Sequence, residues 1–546
     1  MPSFVISGRY VDLSERRIYP AEITVREGRI ARIRETQDAP GQYILPGFVD
    51  AHVHIESSML VPSAFARLAV LHGSVATVSD PHEIANVCGR EGVDYMIENS
   101  RQTPFKFFFG APSCVPATFF ETAGAHLDAA AVAELLALPD IRYLSEVMNY
   151  PGVLHRDEEV MAKIAAARRL GKPVDGHAPG LRGAEAMAYA EAGITTDHEC
   201  FTLAEALDKL NAGMHILIRE GSAARNFDAL APLLKTHPGK IMFCSDDKHP
   251  DELVLHHINR HVIRALAAGY DLFDVLRAAS VNPVLHYGLP VGLLREGDPA
   301  DFIVAGNLAE MDIRQTFIDG ICVAAEGKCL LPLIPVKTIN RFEAQPKKEA
   351  DFRLPTGSDH PLIRVIEAVE GQLVTNELRL RGKTENGFLV SDVEQDVLKI
   401  AVVNRYIPDA PPAVAFVKNF GLKEGALAST VAHDCHNIIA VGVDDASLCA
   451  AVNELIRVQG GITVVREGRC NTLPLPVAGL MSNEEGYETA NKYAALDRKA
   501  KELGCRLQAP FMSLSFMALL VIPSLKISDL GLFDGSSFSF TDVEIL

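Results

Sequence analysis

The chain has 546 residues, 48% hydrophobic and 22% charged, with ten cysteines and a formal net charge of −18. That composition gives ample material for two or three packed domains, and the acidic balance without a dense Lys/Arg run excludes a nucleic-acid partner. No apolar run reaches the roughly 18–20 residues that span a bilayer, the start lacks a basic-then-apolar leader, and no Cys-x-x-Cys occurs; a cytoplasmic protein with reduced thiols and no membrane partner is expected.

Residues 1–46 read as short strands with tight turns. Glu27-Gly28, set between the alternating runs Glu22–Arg26 and Arg29–Ile33, is a hairpin signal. Residues 47–285 alternate β-branched runs with Ala/Leu-rich helical stretches. Eight candidate strands can be counted there: Gly47–His54, Ser74–Asp80, Phe105–Gly110, Arg142–Asn149, Pro173–His177, Ile194–His198, Met214–Ile218 and Lys240–Asp246. Eight strand–helix alternations in that length predict a (β/α)8 TIM-type barrel. The basic stretch 162–172 reads as the solvated end of a barrel helix. Residues 286–340 return to strands, so the two segments flanking the barrel are expected to form one small β-sandwich. A polar linker, Phe342–Glu349, leads to a third domain over 350–546, of α/β class.

In such barrels chemistry sits at the C-terminal strand ends, and the polar residues fall there. His52 and His54 end the first strand, and their i, i+2 spacing puts both imidazoles on one face. Glu146 lies late in the fourth, His177 ends the fifth, His198 the sixth and Asp246 the eighth. Four imidazoles and two carboxylates at one mouth suit Mn, Fe or Zn. Six ligands are too many for one ion with an open position, so two divalent ions are expected: His52, His54 and Asp246 on one, His177 and His198 on the other, Glu146 bridging. Such a pair deprotonates a shared water and polarises a substrate.

Other clusters are weaker. Asp80-Pro81-His82-Glu83 follows the second strand and reads equally as a helix start or a substrate contact. Glu56-Ser57-Ser58-Met59, just past the histidine pair, reads the same two ways. His433-Asp434-Cys435-His436-Asn437 has metal-like composition but a spacing that argues against direct ligation. His256, His257 and His261 read as surface or packing residues of a helix, and Gly460-Gly461 as a turn.

Pro46-Gly47-Phe48-Val49-Asp50-Ala51-His52-Val53-His54 resembles the first barrel strand of the amidohydrolase superfamily, and Gly297-Asp298-Pro299-Ala300-Asp301-Phe302-Ile303-Val304 its return into the small β-domain. More specifically, His54-Ile55-Glu56-Ser57-Ser58-Met59, Glu146-Val147-Met148-Asn149, Cys244-Ser245-Asp246-Asp247-Lys248-His249-Pro250 and Leu475-Pro476-Val477-Ala478-Gly479-Leu480-Met481-Ser482 resemble the bacterial adenine deaminase family. The resemblance covers all three zones. Cys435 departs from it, standing where the family has Ser. Glu146, with no Lys in its strand, fits it.

The resemblance implies hydrolysis of adenine to hypoxanthine and ammonia with Mn²⁺ or Fe²⁺. The metal-activated hydroxide would attack C6, with Asp246 as base and then acid, Glu146 and His198 assisting, and Glu56, Ser57, Ser58, His82, Glu199 and Asp247 as candidate substrate contacts. His249 is a further candidate. The alternative is a cyclic-amide or N-acyl hydrolase using the same cradle. A homodimer or higher homo-oligomer is expected.

Overall fold

The structure is a computed structural model that describes residues 3–545. The N-terminal strands Phe4–Asp12, Arg17–Arg26, Arg29–Glu35 and Tyr43–Pro46 pair in one sheet with Phe302–Ala305, Ile313–Ile318, Ile321–Ala325 and Lys328–Cys329. Glu27 and Gly28 both take positive φ, the conformation that a two-residue hairpin turn requires. The eight strands form one continuous hydrogen-bonded sheet. It curls enough that Ile23 and Ile30 share a core with Phe302 and Phe317.

All eight expected barrel strands form, at Phe48–Val53, Ser74–Ser79, Lys106–Ala111, Ile141–Val147, Val174–Gly176, Thr196–Asp197, His215–Arg219 and Ile241–Cys244. Five belong to one parallel ladder and three to another. The first seam is short: Thr195 N donates to the Val174 carbonyl at 2.8 Å. The second closes the ring through the site residues themselves, with Asp246 N to His52 O at 3.0 Å and His54 N to Asp246 O at 3.4 Å. Gly47 is required at the entrance to the first strand, because a Cβ there would meet Val75 Cγ1 at 2.3 Å. In the basic stretch, Lys163 departs from the solvated reading: it is buried and donates to the carbonyls of Ser113 and Leu127 at 3.0 and 2.8 Å.

The C-terminal part is β-rich. Its nine-stranded sheet carries the helix Asp445–Val458 on one face. The opposite side turns toward the barrel. Met481, Phe511 and Met512 belong to the same continuous apolar cluster as Val53, Ile55 and Met59. Ser482 N also donates to the Met59 carbonyl at 2.8 Å, directly behind the histidine pair. Burial of shared apolar surface therefore seats this domain on the barrel mouth. Among the described residues no helix is long and apolar enough to cross a membrane, and all ten cysteines are free thiols.

Candidate metal centre

The six strand-end residues meet. His52 and His54 point their Nε2 atoms at one spot, 3.1 Å apart. Two neutral acceptor nitrogens repel at that distance, so a proton or a cation belongs between them. Glu146 reaches both sides of the cluster: Oε1 is 3.3 Å from His54 Nε2, while Oε2 is 2.7 Å from His177 Nδ1 and 3.2 Å from His198 Nε2. Asp246 Oδ1 lies 3.2 Å from His54 Nε2 and 3.6 Å from His52 Nε2. The His52 and His198 rings stack at 4.2 Å. All six side chains are buried, and His177 Nε2 has no hydrogen-bond partner.

The electrostatics are those of a cation site. Burial pushes the Glu146 carboxyl up, but the imidazoles of His177, His198 and His54 outweigh it and hold the group well below the usual carboxylate range. Asp246 follows the same pattern, with Arg219 as the largest opposing influence. Burial lowers His198, yet Glu146, Asp246 and Glu199 raise it to about 9. Groups of three or four buried donors lie close enough to share an ion, including His52, His54 and Asp246; His52, Glu146 and His198; and His54, Asp80, His82 and Glu146. The donor chemistry fits divalent transition ions. His82, expected only as a possible substrate contact, stands inside this cluster, 3.6 Å from Glu146 Oε1.

Asp246 holds a left-handed backbone (φ 54°), a conformation that costs a non-glycine residue about 1–3 kcal/mol and recurs at functional sites. The seam bonds on either side hold it there. Arg219, which sequence reasoning passed over, is fully buried and donates to Asp246 Oδ2 at 2.7 Å and to both oxygens of Glu199. It ends the seventh strand, so the strand-end rule applied to that strand would have found it.

A second support lies beneath the histidine pair. Asp50 accepts from His52 N at 3.3 Å and Ser245 N at 3.0 Å, tying the first strand to the eighth. His257 pins Asp50 with Nε2 at 2.7 Å and meets Ser74 Oγ with Nδ1 at 2.6 Å. Of the two readings of this histidine group, packing holds for His257 and His261: His257 precedes the helix Ile258–Ala267 and both are buried, while His256 is half-buried. The helical spacing hid this because His257 stands in the turn between the short helix Pro250–Leu253 and the helix Ile258–Ala267, which swings its ring inward to Asp50. Replacing His257 with Phe is expected to weaken metal retention by about 10–100-fold. A chelator competition titration reads this directly, and unchanged affinity refutes it.

The cavity above the cluster is lined by His82, Glu199 and Asp247 among the expected contacts. Glu56, Ser57 and Ser58 do not line it. Glu56 accepts from Ile84 N at 3.2 Å, Ser57 Oγ donates to Asp247 Oδ1 at 2.5 Å, and Ser58 Oγ donates back to Ile55 O. They brace the wall rather than face the space. His249 packs on Tyr493 away from the cavity, and burial pushes its imidazole down to about 3. The remaining wall comes from the C-terminal domain: Leu373, His433, Asp434, Phe516 and Leu519. The His433–Asn437 segment therefore belongs to the site, which its sequence spacing had argued against for direct ligation. Its partner Glu83, in the cluster that reads equally as a helix start or a substrate contact, lines the same cavity.

The amidohydrolase family model matches residues 43–323, and the adenine deaminase C-terminal domain model matches residues 372–539. Curated relatives named adenine deaminase align along nearly the whole chain. The protein of Salinibacter ruber is 57% identical, covering 99% of this chain and 99% of its own. That of Sulfurovum sp. (strain NBC37-1) is 58% identical, covering 98% and 99%. That of Methanosarcina mazei is 53% identical, covering 98% of each.

Proposed function

The chain belongs to the adenine deaminase family of metal-dependent amidohydrolases, and from that premise we infer that it hydrolyses adenine to hypoxanthine and ammonia at the strand-end cluster. The carrying observation is the convergence of His52, His54, Glu146, His177, His198 and Asp246 on one buried point. In this reading His52, His54 and Asp246 hold one divalent ion, His177 and His198 a second, and Glu146 faces both. Manganese or ferrous iron suits the donor set, and zinc is also compatible with it. When bound, two such ions supply Lewis acidity that brings a water's pKa near neutrality and polarises the substrate.

The protein's own groups do the rest. Asp246 accepts the first proton that water loses as its oxygen joins C6 and passes it to ring N1; it then takes the second, from the new C6–OH, and delivers it to the departing amine. The C6–N bond breaks and ammonia leaves, so the water oxygen becomes the hypoxanthine carbonyl. Arg219 occupies Asp246 Oδ2 and keeps Oδ1 turned to the cluster. Glu146 and His198 hold the charge balance around that proton. Leu373, Phe516 and Leu519 keep bulk water out.

A cyclic-amide or N-acyl hydrolase is not favoured, since the full-length relatives carry the adenine deaminase name. We divide the chain into the curled sheet (1–46 with 286–340), the catalytic barrel (47–285) and the capping domain (350–546). We also place it in the cytoplasm, a reading that its unpaired thiols support, and take it to be a homodimer or larger homo-oligomer. The test is a spectrophotometric and ammonia-release assay on adenine with added manganese or ferrous iron. Adenine turns over and chelation abolishes it, while adenosine does not react. Failure on adenine with both metals loaded would sink the reading.

A further inference from the structure

We propose that His433 and His436 of the C-terminal domain are positioning residues that hold the Glu83 carboxylate as hydrogen-bond acceptor for a ring N–H of the bound purine base. The inference rests on the reading of the cavity as the adenine site. It concerns how the base is recognised, not how it is hydrolysed.

Glu83 opens the helix His82–Cys88 after the second barrel strand, is 1% exposed and lines the cavity. Its two oxygens are treated differently. Oε2 is bonded to His436 Nε2. Oε1 has His433 Nε2 at 2.9 Å and His82 Nε2 at 3.4 Å, neither in line for a hydrogen bond, so that oxygen and both nitrogens lack a partner. A bridge built only to join two domains would satisfy both oxygens, because an unpaired acceptor in a buried carboxylate costs free energy. An oxygen left open at a cavity wall is an acceptor kept for a ligand.

The donor side is fixed by the tautomer of His436. Ala432 N donates to His436 Nδ1 at 3.2 Å, which makes Nδ1 the acceptor and places the ring N–H on Nε2, aimed at Glu83. His433 is anchored in turn: its backbone N donates to Ser515 Oγ at 3.1 Å and its Nδ1 lies 2.5 Å from the same oxygen. Ser515 belongs to the helix Pro510–Phe516, whose last residue lines the cavity. The carboxylate is thus oriented from a part of the chain some 350 residues distant, |i−j| being 353 for the His436 contact. A free purine base offers an N–H on its five-membered ring, and such a donor matches an ionised acceptor; burial raises the Glu83 carboxyl, but His433, His436 and His82 hold it well below its ordinary value.

The test is a double-mutant cycle on the full-length, metal-loaded protein with Glu83→Ala, His436→Leu and the pair together. Its readouts are the Kd of hypoxanthine by calorimetry, kcat/KM for adenine, metal content and thermal midpoint. Each single change weakens hypoxanthine binding and lowers kcat/KM roughly 10- to 100-fold, the worth of a hydrogen bond to a charged group, with both metals retained. The pair is no worse than Glu83→Ala alone, because His436 acts through Glu83. His436→Gln, which keeps a donor, restores part of the loss and guards against a folding defect. Wild-type affinity in either single variant, additive losses in the pair, or loss of metal in step with affinity each overturns the proposal. A wild-type protein that binds hypoxanthine but releases no ammonia from adenine would instead sink the functional reading and leave the Kd cycle to decide this one.

Discussion

Asp246→Asn lowers adenine turnover by on the order of a thousandfold, the usual worth of a positioned proton acceptor, while the protein stays folded. The amide is isosteric, so Arg219 keeps both its Glu199 bonds and the seam bonds to His52 and His54, made by the Asp246 backbone, remain. What is lost is the oxygen 3.2 Å from His54 Nε2 that takes the proton. Because Asp246 is also a metal donor in this reading, turnover is measured beside metal content by plasma spectrometry. Retained metal with lost turnover identifies the base. Turnover near wild type would remove Asp246 from the chemistry altogether.

Arg219→Met produces the largest expected loss of stability. The guanidinium is fully buried between Glu199 and Asp246, and burial, which would lower its pKa, is outweighed by those two carboxylates. Removing it strands two acidic groups in the barrel mouth. Breaking such a pair costs about 3–5 kcal/mol, read as a fall in the urea midpoint. Activity falls too, since Asp246 loses its orienting partner. Arg219→Lys does not restore either property, because a single ammonium cannot fork across two carboxylates as the planar guanidinium does. A Met variant with wild-type stability would show that the pair is better solvated than its burial implies.

The sequence exposed those parts of the site that obey a period. The i, i+2 histidine pair and the strand-end positions of Glu146, His177, His198 and Asp246 follow from counting eight strands. The structure places each on the cluster. What escaped follows no local period. Glu83 looks like a helix start until His436 arrives from the far end of the chain. His257 carries helical spacing with its neighbours, yet its contact with Asp50 depends on where the preceding turn sends it. Glu56, Ser57 and Ser58 stand just past the histidine pair in the sequence, yet they do not line the cavity. Closeness in sequence could not say which way a 3₁₀ turn, Ile55–Ser58, would face them. The curled sheet illustrates the same limit: alternation fixes strands, whereas continuity of pairing across the 302–305 strand depends on closure in three dimensions.

The capping of the mouth by Leu373, His433, Asp434, Phe516 and Leu519 sets an order of events during synthesis. Chains emerge amino end first and domains fold as units. The barrel, with the six residues proposed as metal donors, is synthesised before the segments that cover it. In the reading proposed above, ions held beneath that cover exchange with solvent when the C-terminal domain lifts, so slow loss of metal to a chelator from the folded protein is the expected outcome.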